Sequence, residues 1–169
     1  MCYAFLTISG LTVKEYFVDL FNYNHWANER SINALTQIEG KNERAFQIMG
    51  HILDAQLNWY KRINDPAHAT QNFWNIYSIE DMRGLSYKSS KEWLRFIESL
   101  TDDGYKKKIN YQNSKGLEFT NTILQILTHV THHSSYHRGQ IVSLIRSNWG
   151  APPITDYIFY EREFKKQKF

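Results

Sequence analysis

A chain of 169 residues with 42% hydrophobic and 15% aromatic content is long and apolar enough to bury one core, so a single globular domain over residues 1–169 is expected. No window approaches the roughly 20 uninterrupted apolar residues of a membrane-spanning helix, which argues against a membrane protein. The formal charge of +3 comes largely from Lys106 to Lys108 and from Lys165, Lys166 and Lys168; neither run is interleaved with aromatic residues on one face, which argues against nucleic-acid binding.

The single cysteine, Cys2, excludes an intramolecular disulfide framework and a cysteine-based metal site, and fits a reducing compartment. The apolar run from Cys2 to Ile8 has no basic residue before it and is short for a signal peptide, so a cytoplasmic location is expected. Three prolines and eight glycines are few for this length and lean away from an all-β chain.

In chain order, Thr12 and Glu15 have capping-box spacing and predict a helix start. Tyr16, Phe17, Leu20, Phe21, Ala27, Ile32 and Leu35 continue it at helical spacing, and Gly40 is placed to stop it. A second helix is expected from about Asn42, with Ala45, Met49, Ile52, Gln56, Trp59 and Ile63 on one stripe and Pro66 barring its extension. From Asp65 to Tyr87 the periodicity dissolves, with only Ser78 to Asp81 suggesting a brief helical turn; long connections of this kind are often functional.

Ser89 and Glu92 suggest the start of a third helix, with Trp93, Phe96, Ile97 and Leu100 as its apolar face. Lys108 to Tyr111 and Leu117 to Phe119 flank Asn113-Ser114-Lys115-Gly116 and are expected to pair as a small hairpin. The clearest helix runs from about Asn121 to Ser147, with Gly150 where a left-handed cap would sit. Beyond Pro152 and Pro153, the segment from Thr155 to Phe164 is expected to pack back on a four-helix bundle.

Four of the seven histidines fall in the last long helix, and helical phase separates them. At about 100° per residue, Ile126, Val130, His133, His137, Ile141 and Leu144 lie within about 40° of one direction, an otherwise apolar stripe. His129 lies on its flank and His132 points away. Two inward imidazoles without partners would each cost roughly 1–3 kcal/mol, and a shared metal ion removes that cost. The i, i+4 spacing lets both reach one ion at about 2.0–2.1 Å. His51, beside Ile48, Ile52 and Ala55, is the candidate third ligand from a facing helix. Three histidines alone would leave coordination positions open, as in catalytic metal sites. The competing reading is that these are satisfied core histidines that share a phase by chance. His25 and His68 read as surface residues.

The string His129-Val130-Thr131-His132-His133-Ser134-Ser135-Tyr136-His137-Arg138-Gly139-Gln140 resembles the signature helix of the DinB-like superfamily, also known as YfiT-like metal-dependent hydrolases. Tyr23 to Asn28, the His51 region through Trp59, and Pro152 to Tyr157 are similar to the same family, so the resemblance covers nearly the whole chain. It implies an all-α, up-down-down-up four-helix bundle, usually a homodimer, in which His51, His133 and His137 bind one divalent ion, nickel or zinc foremost, with iron or manganese as alternatives. His132 stands where the family commonly has Asn.

Relatives in the superfamily imply a metal-dependent enzyme acting on a small molecule: a transferase that uses a low-molecular-weight thiol such as bacillithiol or mycothiol, a maleylpyruvate isomerase, or a hydrolase. The alternative is a non-catalytic, stress-related metal-binding dimer. Asp54 and Glu118 are the carboxylates near enough to consider as a general base, and neither has a spacing argument behind it. Trp26, Asn28, Trp59 and Tyr136 are candidate pocket residues, with core packing the competing role. Arg138 is a candidate partner for an anionic substrate or for a carboxylate across a dimer. Gly139 in mid-helix suggests close approach of another helix, because glycine there costs about 1 kcal/mol relative to Ala.

Overall fold

The computed structural model describes residues 7–8, 11–65, 68, 72–113, 115–148 and 150–165. A short strand pair, β1 (Thr7–Ile8) with β2 (Leu11–Thr12), leads into helix α1 (Val13–Leu35). It is followed by α2 (Glu43–Asn64), α3 (Ile79–Ser99), the antiparallel hairpin β3 (Lys108–Gln112) and β4 (Glu118–Thr122), α4 (Ile123–Ser147) and α5 (Tyr157–Lys165).

Local chemistry sets most of these boundaries. Thr12 and Glu15 form the full capping box, satisfying each other's free backbone N–H groups. Thr122 and Gln125 do the same for α4. Asn42 caps α2 through its side-chain oxygen on the Ala45 amide. Gly40, at φ 72°, reverses the chain after a turn of 3-10 helix at Thr36–Ile38. The hairpin forms as expected: Asn113 Oδ1 accepts from the amides of Lys115 and Leu117, and Gly116 takes φ 75°.

Two expectations are corrected. α3 begins at Ile79, capped by Ser78 on the Asp81 amide, so the supposed brief turn is the true start. Ser89 is not a cap but a buried mid-helix residue whose hydroxyl donates to Gln56. The apolar periodicity was weak there because Ser86 and Ser89 occupy core positions. Gly150 does not adopt a left-handed conformation. Its amide donates to the Ile145 carbonyl, and a Cβ would press on the Ile145 side chain at 2.7 Å, so close packing explains the glycine. Pro66 lies outside the described residues.

The bundle runs up-down-down-up. Residues of the first half of α2, from Ala45 to Leu53, share a core with Met82 and Leu85 of α3, and Trp59 and Tyr60 in the second half share one with Trp93 and Phe96, so these two helices are parallel. His25 meets Ser86 while Phe21 meets Trp93, which sets α1 antiparallel to α3. Trp59 meets His129 and His51 meets His137, which sets α2 antiparallel to α4. The tail packs back on α1 as expected: Tyr160 is buried against Tyr23 and Trp26, Tyr157 donates to Asp19, and Arg30 pairs with Glu163 at 3.3 Å.

The apolar core is divided into two. One cluster, around Ile32, Leu35, Met49, Leu53, Ile141 and Ile145, fills one end; a second, around Phe17, Phe21, Trp93, Ile97, Ile126 and Leu127, fills the other. Burying each such side chain contributes about 1.5–3 kcal/mol. Between them lies a polar layer with Asn24, Asn28, Gln56, Ser86, Ser89, Ser134 and Arg138, all buried. The bundle's chemistry sits at the margin of this layer.

Candidate metal centre

Three histidines from two antiparallel helices converge at that margin. The ligand atoms of His51, His133 and His137 lie within 4.8 Å of one another, and all three side chains are half-buried. His51 Nε2 is 3.2 Å from His133 Nε2. Two nitrogens bound tetrahedrally to one ion at 2.0–2.1 Å would stand about 3.3 Å apart, so the spacing fits a shared ion. Among the described residues, no carboxylate and no cysteine joins the group.

The outer nitrogens of two rings are already engaged. His51 Nδ1 is 2.8 Å from the Phe73 carbonyl oxygen, and His137 Nδ1 is 3.0 Å from Gln140 Oε1. Both oxygens only accept, so each ring must donate from Nδ1, which leaves its Nε2 lone pair for the centre. Such outer partners fix tautomer and ring orientation in metal-binding histidines. Burial pushes the His133 imidazole down to about 3, helped by the neighbouring rings of His137, His51 and His129. Burial also lowers His51, with the Phe73 carbonyl opposing. Neutral imidazoles are the form that binds metal.

The segment at 72–77, part of the long connection expected to be functional, holds this arrangement in place, although nothing local in it marks which residues do so. Its Phe73 supplies the carbonyl for His51, and its Trp74 lies flat on the His51 ring, centroids 3.9 Å apart at 7°. Asp54, one turn after His51, anchors the segment: its carboxylate accepts from the Asn75 amide at 3.3 Å, the Asn75 side chain at 2.9 Å and the Tyr77 hydroxyl at 2.7 Å. Gly50 makes the approach possible, because a Cβ at that position would collide with the Asn75 carbonyl. The adjacency Gly50-His51 was visible in the sequence, but its meaning depends on a segment more than twenty residues away.

The other expected site residues divide. Asp54 is buried and committed to three donors, so it positions rather than abstracts protons. Glu118 is exposed in β4 opposite Gln112, with no contact to the histidines among the described residues. Tyr136, 67% exposed, stands edge-on to His137 at 5.0 Å. Trp59 packs on His129, whose ring faces His133 at 5.3 Å. Trp26 is elsewhere, packed among Tyr23, Tyr160 and Arg30.

Asn28 accepts from Arg138 in the buried layer. Arg138 is 1% exposed and reaches neither solvent nor a carboxylate: it donates to Asn24 at 2.7 Å, Asn28 at 2.8 Å and Ser135 at 3.0 Å. Gly139 does not mark a close helix approach: a Cβ there would meet no heavy atom within 4 Å among the described residues. His25 is half-buried against Ser86, and His68 meets Asn58 at 3.0 Å, so neither is a free surface residue. His132 is exposed, as expected.

The helical phase of α4 needs one adjustment. The most deeply buried positions are Leu127, Ser134, Arg138, Ile141 and Ile145, centred about one step round from the histidines. His133 and His137 therefore occupy the edge facing α2, where a site can open to solvent.

The sequence model of the DinB family matches residues 11–167. The chain belongs to the DinB family. It is 25% identical over 173 residues to Protein DinB of Bacillus subtilis (strain 168), an alignment covering 92% of this chain and 99% of that protein. Within this DinB-family bundle the three histidines named by the resemblance are the three that the helices bring together. No helix among the described residues is long and apolar enough to cross a membrane.

Proposed function

We propose that this chain binds one divalent metal ion through Nε2 of His51, His133 and His137 and uses it to act on a small molecule, either transferring a low-molecular-weight thiol or hydrolysing its substrate. The observation that carries the reading is the pair of Nδ1 donations to Phe73 and Gln140, which aim two Nε2 lone pairs into a cluster with His133. Imidazole donors suit nickel, zinc and iron, with nickel or zinc favoured and manganese a lesser alternative.

A bound ion of this kind would act as a Lewis acid and bring the pKa of a thiol or water toward neutrality. The chain's own residues do the rest. Three neutral ligands leave the ion's positive charge undiminished and leave coordination positions for a reactant. Asp54 and Gly50 hold the wall that orients His51. Trp74 and Tyr136 flank the ligands and give a substrate apolar surface beside the ion.

Metal analysis of untagged protein tests the ligand set. His51→Ala, His133→Ala and His137→Ala are expected to lose stoichiometric metal, whereas His132→Ala and His25→Ala keep it; equal content in all five refutes the assignment. In the cobalt-loaded protein, an added thiol is expected to change the visible spectrum. A spectrum that no thiol alters would remove the thiol-transfer reading while leaving the metal site standing.

A further inference from the structure

Arg44 lies two turns before His51 on α2 and is exposed, yet it is not a free solvent-facing cation. Its guanidinium sits over the Trp74 ring at 4.6 Å, and its Nη1 donates to Gln47 Oε1 at 2.6 Å. Trp74 in turn lies flat on His51. The guanidinium packs on the indole and the indole on the imidazole, which links an exposed cation to the candidate metal centre through Trp74. No carboxylate among the described residues pairs with Arg44. A planar guanidinium held in this way keeps several N–H donors for a carboxylate, sulfonate or phosphate, and stacking reduces the rotamer entropy lost when it binds one.

We propose that Arg44 and Trp74 form a substrate subsite that takes an anionic group of the molecule whose other end reaches the metal. This rests on the metal-site reading above and narrows its substrate class. Arg44 reaches the centre through its contact with the indole and is not itself among the clustered ligands, so the anionic group and the metal-binding atom belong to separate parts of the molecule. Asp54, the carboxylate one turn from His51, is engaged by Asn75 and Tyr77, and no ion pair to Arg44 occurs among the described residues, so the guanidinium is not already taken by a protein carboxylate.

The test uses cobalt-loaded protein and two probes with the same thiol: glutathione, which carries carboxylates several bonds from its sulfur, and its diethyl ester, in which both are masked. Binding is read from the cobalt spectrum. Arg44→Gln is expected to keep its cobalt content and to weaken glutathione by about tenfold, while the diester binds wild type and variant alike. Arg44→Lys should recover part of the loss, since it keeps the charge without the fork. Equal glutathione affinity in wild type and Arg44→Gln would overturn the subsite alone. So would an equal drop for the diester, because Arg44 would then act by supporting Trp74. A wild-type protein that takes up no cobalt would overturn the metal reading and the subsite with it.

Discussion

Two neighbouring faces of α4 carry polar side chains into the bundle, and they are satisfied in opposite ways. Toward α1, Arg138 brings a cation among neutral acceptors, and Asn24, Asn28 and Ser135 close around it until 1% of it is exposed. Toward α2, His133 and His137 bring lone pairs, and the facing residue is another lone-pair donor, His51. On the first face the protein itself satisfies both terminal nitrogens of the guanidinium, and Nε alone has no hydrogen-bond partner among the described residues. The second gathers three imidazoles with one mutual hydrogen bond, between His51 and His133, and lone pairs to spare, a set that suits an added cation. One residue of helical phase separates a structural polar layer from a binding centre.

Removing the arginine breaks the closed face most severely. Arg138→Ala leaves the buried amide oxygens of Asn24 and Asn28 without their donor and opens a void, and is expected to lower stability by about 3 kcal/mol in urea unfolding. The same variant should leave the metal affinity within a factor of a few, because Arg138 touches none of the three histidines. A large loss of metal with intact stability would show that the two faces are not separate.

The open face is expected to depend on its support. Gly50→Ala pushes the Asn75 carbonyl away, and Asp54→Ala releases Asn75 and Tyr77. Each should weaken metal binding by about 10–100-fold in competition with a chelator, the usual effect of losing a group that orients a ligand. Unchanged affinity in both variants would mean that His51 holds its orientation without the 72–77 segment.

The smallest expected effect is on pH dependence, and it distinguishes the faces without metal. The His133 pKa is depressed to about 3 in the folded state, against about 6.5 when unfolded. As pH falls below about 6.5 the unfolded chain takes up a proton that the folded chain refuses. Apo-protein stability should therefore decline from pH 6.5 toward pH 3 and level off below it. His133→Ala should lessen that decline, the remainder coming from His25, His51 and His129, which burial also lowers, whereas Arg138→Ala should shift the whole curve down without changing its slope. Partial solvent exposure at His133 keeps the effect modest.

Much of the architecture could be read locally. Thr12 with Glu15 and Thr122 with Gln125 are capping pairs whose partners lie three residues away, so their geometry needs no tertiary information. Asn113 and Gly116 define the hairpin turn in the same way. The start of α3 was misplaced because Ser86 and Ser89 stand where apolar residues would mark a core face; their burial makes sense only once His25 and Gln56 are seen opposite them. Arg138 was open to a functional role for the same reason, since its amide acceptors, Asn24 and Asn28, lie more than a hundred residues away.

Sequence alone determined that His133 and His137 share a side of one helix, because the 3.6-residue repeat is a property of the backbone. The family resemblance named His51 with them. Only the tertiary structure decided that the 72–77 segment would close over His51, with Asp54 as its anchor, Gly50 as its clearance and Trp74 and Arg44 layered outward. Those contacts are set by packing between segments that have no fixed spacing in the chain, and no local pattern encodes them.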